Sequence, residues 1–255
     1  MIDIHSHILP GIDDGAQSLQ DSADMARAAV EDGIHTIIAT PHHQNGKYMN
    51  NKEDILEHTK ELNNYLQDQN IPLLVLPGQE TRLYGDMLSD LKNEELVTLA
   101  NRTNYLFVEF PSGHVPRYAK QMLFDIQVAG YKPIIVHPER NSELTEHPSM
   151  LYEFIRKGAL AQVTAASIAG KFGKNIQKFS HKLLEANLAH FIASDAHNTT
   201  SRGFCMQDAY QEINKQHGNE TSYVLIENAQ LLIEGQNINR AEPIPVKKKK
   251  ILGLF

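Results

Sequence analysis

Apolar, β-branched runs of strand length recur along this chain, and each is followed by a longer stretch whose apolar residues are spaced as on a helix. Seven such runs are legible, at 2–5, 36–40, 73–77, 105–110, 133–137, 160–164 and 190–194. Between them the periodicity predicts helices at 19–32, 52–70, 87–99, 116–129, 149–157 and 176–186. Strand then helix, repeated, builds parallel βαβ units. Runs such as PIIVHP and FIASD are apolar throughout, as strands covered on both faces require. No G-x-G-x-x-G follows a strand, so the alternation points to an α/β fold closed as a TIM-like barrel rather than to an open dinucleotide-type sheet. Two further helices, at 203–216 and 224–234, would complete it. With no Pro/Gly/Ser linker and no internal repeat, one barrel domain is expected over 1–240, followed by a basic tail over 241–255.

Composition narrows the function. A net charge of −7 over 255 residues speaks against a nucleic-acid partner. The single cysteine excludes an internal disulfide. The opening MIDIHSH lacks the basic and apolar regions of a secretory signal, and no apolar run reaches the ~18 residues of a transmembrane helix, so a cytoplasmic protein is expected. The closing VKKKKILGLF reads as a solvated tail. Its lysines, Lys247, Lys248, Lys249 and Lys250, also offer modest attraction to an anionic membrane face or an acidic partner.

Barrel chemistry collects at the C-terminal ends of the strands, and here those ends are uniform. The first ends in His5-Ser6-His7, the second in Thr40-Pro41-His42-His43, the third in Gly78-Gln79-Glu80. The fourth carries Glu109, the fifth ends His137-Pro138-Glu139-Arg140, and the seventh ends Ser194-Asp195-Ala196-His197. So many ionisable groups in one funnel would be costly to bury unpaired, and metal ions are the usual remedy. In HSH the i and i+2 side chains share a strand face, so both imidazoles aim at one point, and Asp195 and His197 repeat the spacing. Glu80 and Glu109 can each bridge two ions. The donor supply exceeds one tetrahedral site and suits two or three ions. Mixed nitrogen and oxygen ligation admits Mn, Fe, Zn or Mg.

HSH, TPHH, GQE, HPER and SDAH, in that order, resemble the motifs of the polymerase-and-histidinol-phosphatase (PHP) superfamily. Within it, MIDIHSHILPGIDDG and VHPERN resemble the bacterial protein tyrosine phosphatases of capsule and exopolysaccharide loci, the CpsB/CapC type, from Met1 to about Cys205 and more loosely beyond. The resemblance implies a distorted (β/α)7 barrel of the PHP fold, a trinuclear site with manganese the first expectation, and hydrolysis of phosphotyrosine on a partner bacterial tyrosine kinase and its substrates. Carried over, the family pattern gives one ion to His5, His7, Glu80 and Asp195. A second goes to Glu80, Glu109 and His137, and a third to His42, His197 and a carboxylate of the ILPGIDDG loop. Asp14 is preferred for the last, with Asp13 open. His43 would point to the opposite side and serve packing.

Phosphate monoester hydrolysis needs a nucleophile and neutralised charge, which an ion-activated water and the ions themselves supply. Asp195 joins Arg140 and Arg202 as the expected catalytic set. The arginines follow His137 and His197 on loops suited to clamping phosphate bidentately. A cysteine phosphatase is excluded, because its loop needs Arg six positions after Cys and Cys205 is followed there by Gln211. A small-molecule phosphomonoesterase of the histidinol-phosphate kind and a non-catalytic metal-stabilised binding protein remain as rivals. A phenol leaves more readily than an alkyl alcohol, and a deep site favours a long side chain, so phosphotyrosine is the expected substrate, with Tyr48, Tyr84 and Tyr118 candidates for the mouth.

Overall fold

The computed structural model describes residues 1–246, so the lysine run Lys247–Lys250 lies outside the described residues. Nine strand segments form among the described residues: β1 (Ile2–Ser6), β2 (Thr36–Ala39), β3 (His42–His43), β4 (Leu74–Pro77), β5 (Glu80–Arg82), β6 (Tyr105–Glu109), β7 (Lys132–Val136), β8 (Leu160–Thr164) and β9 (Phe191–Ala193). They pair in the orders β1-β2-β4 and β3-β5-β6-β7-β8-β9, and every pairing is parallel. The two sheets are one wall. β2 and β3 are halves of a single position, broken where Pro41 has no N–H to give a ladder. β4 and β5 are likewise broken at Gly78-Gln79. Counted this way there are seven positions, and the ring closes where Ser6 pairs with Ala196, the Asp195 N–H donates to the His5 carbonyl at 2.9 Å and the His7 N–H to the Ala196 carbonyl at 2.8 Å. The result is a distorted seven-stranded (β/α) barrel.

The helices are α1 (Leu19–Glu31), α2 (Lys52–Asp68), α3 (Met87–Lys92), α4 (Ala119–Val128), α5 (Ser142–Glu146), α6 (Pro148–Arg156), α7 (Ala165–Ile168), α8 (Lys174–Glu185), α9 (Met206–His217) and α10 (Asn219–Ile233). Ser18 and Asn51 start α1 and α2 by accepting the N–H groups of Asp21 and Asp54. The helix expected over 87–99 ends at Lys92, because Glu94 turns left-handed at φ 60°. Leu96, Val97 and Leu99 are buried from the turn that follows instead. The short α5 and α7 carry too few residues to show a periodicity.

Apolar packing has two layers. Ile4, Ile38, Phe107, Ile134, Phe191 and Ala193 fill the barrel, joined by Ala229 and Leu232 of α10. A larger cluster lies between strands and helices. Along β1, Asp3 pairs with Ile37 but Ser6 with Ala39, so β1 carries one extra residue. A bulge of that kind re-aims side chains. Ile2 and Ile4 join the inner cluster, and within the irregular stretch between Asp3 and Ser6 the His5 ring meets Phe107 of that cluster at 4.9 Å.

Candidate metal centre

The carboxyl ends of six of the seven strand positions, and the loops that follow them, bring donors to a common point, β8 being the exception. Register sets the first contacts: β3 on β5 places His42 opposite Glu80, and β5 on β6 places Arg82 opposite Glu109. Glu80 is fully buried and lies at the middle. Its Oε2 stands 2.9 Å from His42 Nδ1, 3.3 Å from His7 Nε2 and 3.4 Å from His5 Nε2, while its Oε1 meets His137 Nε2 at 2.8 Å. Asp195 Oδ1 faces His7 Nε2 at 3.4 Å and His5 Nε2 at 3.7 Å. Asp14 Oδ1 faces His42 Nε2 at 3.4 Å and His197 Nε2 at 3.6 Å.

These donors form three sets with mutually close ligand atoms: His7, Asp14, His42 and His197; His5, His7 and Glu80; His42, Glu80 and Glu109. Asp195 borders the first two, and His137 reaches Glu80 alone. Between the two neighbouring aspartates the geometry separates roles, because Asp13 points away from the shared space and toward the far side of His7, at 2.6 Å from Nδ1. His43 also turns away, toward the Asn50 carbonyl at 2.7 Å.

Five buried donor atoms converge here without a hydrogen bond: His5 Nε2, His7 Nε2, His42 Nδ1, His197 Nε2 and Glu80 Oε2. A buried polar group without a partner is expensive, and five in one place mark a space shaped for cations. Nitrogen and carboxylate oxygen donors without thiolate suit manganese, iron, zinc or magnesium alike. The residues therefore fit the ions that the motifs imply.

The electrostatics agree. Burial works against ionisation of Glu80, but the charges of His42 and His5 and the close approach of His137 and His42 hold it well below the usual carboxylate range. Asp195 is held low in the same way, by Arg140 above all against its burial. Burial, reinforced by Arg140, pushes His137 down to about 4, and burial with His7 does the same for His197. Both are neutral at pH 7, the form that ligates metal.

Arg140 and Arg202 stand on the rim, and both grip Asp195 Oδ2, at 2.5 and 3.0 Å. Asp195 thus gives one oxygen to the histidines and the other to the arginines. Glu109 makes a forked pair with Arg82, Nε to Oε2 at 2.8 Å and Nη2 to Oε1 at 2.9 Å. Sequence reasoning missed Arg82; its signal was the strand register, which needs the break at Gly78 to be known. Gln162 of β8, which meets His5 Nδ1 at 3.0 Å, was missed because a neutral residue carries no signal. Of the three tyrosines, Tyr48 stacks parallel to His42 at 6.2 Å beside the exposed Met49. Tyr84 and Tyr118 are tied to Asp90 and the Leu83 carbonyl. Burial pushes the Cys205 thiol up to about 11, which leaves it inert as a nucleophile.

A parallel barrel whose strand ends converge on a histidine and carboxylate centre defines a class, and comparison with known proteins gives it a family. Residues 1–234 match the family described as capsular polysaccharide synthesis, CpsB/CapC, and the chain belongs to it. Its relatives include the tyrosine-protein phosphatase YwqE of Bacillus subtilis (strain 168), 53% identical over 255 residues that cover all of both chains. The tyrosine-protein phosphatase CpsB of Streptococcus agalactiae serotype III (strain NEM316) is 30% identical over 93% of this chain and 100% of its own. The crystal structure of YwqE, described with CpsB as a unique metal-dependent tyrosine phosphatase, superposes with a TM-score of 0.95 over 97% of this chain and 100% of that one. The histidinol phosphate phosphatase of Lactococcus lactis shares the fold alone, at a TM-score of 0.54 and 12% identity over 84% of this chain and 94% of that one.

Proposed function

We propose that the chain is a metal-dependent protein tyrosine phosphatase that acts on a bacterial tyrosine kinase and its phosphorylated substrates in exopolysaccharide or capsule synthesis. The observation that carries this reading is the convergence of five unpartnered buried donors beneath a pair of rim arginines, in a chain of the CpsB/CapC family. His5, His7, Glu80 and Asp195 would hold one ion, Glu80, Glu109 and His137 a second, and His42, His197 and Asp14 a third, with manganese as the first candidate. Bound there, the ions would supply Lewis acidity for activating water and neutralising phosphate.

The chain's own groups do the rest. Arg140 and Arg202 present guanidinium forks at the mouth, where they bind and orient the non-bridging phosphate oxygens. Asp195 holds both forks in place from below. Tyr48, its ring parallel to that of His42 with centroids 6.2 Å apart, and Met49 beside it offer apolar surface to the phenyl ring of a phosphotyrosine, which has the length to bring phosphate past the lip. A phenol of pKa about 10 departs without a general acid more readily than an alkyl alcohol, which favours a phosphotyrosine leaving group. The relatives' names favour the same substrate.

Matched peptides that differ only in the phosphorylated residue test this. Phosphotyrosine should be hydrolysed with a kcat/KM far above that of phosphoserine or phosphothreonine. Cleavage of phosphoserine within a few-fold, or faster turnover of histidinol phosphate, would replace the reading with a small-molecule phosphatase.

A further inference from the structure

We propose that Asp13 is a positioning residue that acts through His7: it fixes which ring nitrogen carries the proton and so aims Nε2 into the centre. This rests on the metal reading given above. Every oxygen contact of Asp13 points away from the shared ligand space. Oδ2 takes the His7 Nδ1 at 2.6 Å and the backbone N–H of His42 at 3.2 Å. Oδ1 takes the backbone N–H of Gly15 at 2.9 Å. A carboxylate only accepts, so the proton of this contact lies on His7 Nδ1. His7 Nε2 is then the atom that faces Glu80 and Asp195 at 3.3 and 3.4 Å and has no hydrogen bond of its own.

The loop is built to press Asp13 into this place. A Cβ at Gly15 would lie 1.9 Å from the His7 carbonyl oxygen and 2.5 Å from the His7 Cβ, so only glycine lets the turn close on that backbone. The Ala16 N–H donates to the His7 carbonyl at 3.1 Å, and the Gln17 amide bonds the carbonyls of Asp13 and Gly15 at 3.0 and 2.8 Å. Asp13 therefore contacts two of the candidate ligand residues at once, the ring of His7 and the backbone of His42. Gln162 Oε1 meets His5 Nδ1 in the same manner, at 3.0 Å. Such outer partners of ligand histidines are commonly worth 10- to 100-fold in metal affinity.

Asp13→Asn is the informative variant. It keeps size and the contact to Gly15, but can turn an amide N–H toward His7 Nδ1 and favour the tautomer with the proton on Nε2, the wrong one for ligation. Manganese affinity measured by calorimetry should fall about 10- to 100-fold, while the melting temperature of the metal-free protein stays near that of the unaltered chain. Imidazole nitrogen chemical shifts should report Nδ1–H at His7 in the unaltered metal-free protein and a shift toward Nε2–H in the variant. If Asp13→Asn folds poorly, the shifts of the unaltered protein still decide: a His7 protonated on Nε2 alone overturns the inference. Unchanged manganese affinity in a folded Asp13→Asn also overturns it, and leaves the metal centre standing. Failure of the unaltered protein to bind manganese at all would overturn both.

Discussion

Asp195 shows how one residue can serve two groups. Its backbone is left-handed at φ 51°, as is that of His137 at φ 35°, and non-glycine residues hold such conformations only where their surroundings insist. Here the surroundings are the fully buried Asp3, which accepts the Ser194 N–H at 2.9 Å and the Ser194 hydroxyl at 2.5 Å, and the Asp195 N–H bond to His5. The split of its oxygens predicts a split among variants. Glu80→Ala and Asp195→Ala should lose both bound metal and turnover. Arg140→Ala and Arg202→Ala should keep metal and lose about 10²- to 10³-fold in kcat, with lysine a poor substitute because it lacks the fork. Metal content measured beside turnover separates the two groups; metal loss on removing an arginine would make that arginine structural. Most of the donors were legible in sequence because HSH, TPHH and SDAH carry the spacing themselves. Asp14 was preferred over Asp13 with the choice left open, because adjacency gives two carboxylates nearly the same address until the turn at Gly15 is built. Arg82 was invisible for a different reason: its partner, Glu109, is distant in sequence and chosen only by register.

Among the elements, the strands were legible to within a residue or two because parallel strands in a covered barrel are apolar runs. What the runs could not reveal was that two of them break and resume. Pro41 interrupts one position, and Gly78 the other, and the resumed segments β3 and β5 carry His42 and Glu80. A short polar strand such as Glu80–Arg82 has no apolar signature; pairing to its neighbours makes it a strand. The Gly78 break is also tight, since a Cβ there would lie 2.6 Å from Ile38 Cγ2 and 3.2 Å from Leu99 Cδ2. Gly78→Ala should therefore destabilise the fold by about 1–3 kcal/mol through overpacking and weaken manganese binding by displacing Glu80. Denaturant unfolding and metal titration of the same preparation check both. A Gly78→Ala protein of unchanged stability would show that the break has room to relax.

At the scale of the whole molecule, the candidate metal ligands gather at one end of the barrel, and the buried His190 lies at the other. It precedes β9 at the opposite end, is almost fully buried, and accepts the Ala161 N–H on Nδ1 at 3.2 Å. Burial, with Arg240 adding to it, pushes it down to about 3. Its folded pKa lies below the unfolded value near 6.5, so the unfolded chain binds the proton more readily. Its contribution to stability is present above pH 6.5 and lost as pH falls from there toward 3, at about 1.4 kcal/mol per pH unit. His190→Gln should lower stability at pH 7 but flatten its decline between pH 6.5 and 4, as read by melting temperature. A variant that declines as steeply as the unaltered protein would assign the acid sensitivity elsewhere. Among the described residues no helix is long and apolar enough to cross a membrane.

The converging histidines and carboxylates are proposed to hold the ions that make this barrel a phosphatase. The most direct test is hydrolysis of a phosphotyrosine peptide as metal is stripped by chelator and manganese is then returned in measured steps. Turnover should vanish in the metal-free protein and recover in proportion to bound manganese, reaching its limit at two or three ions per chain. Full turnover by protein shown to be free of metal would contradict the account.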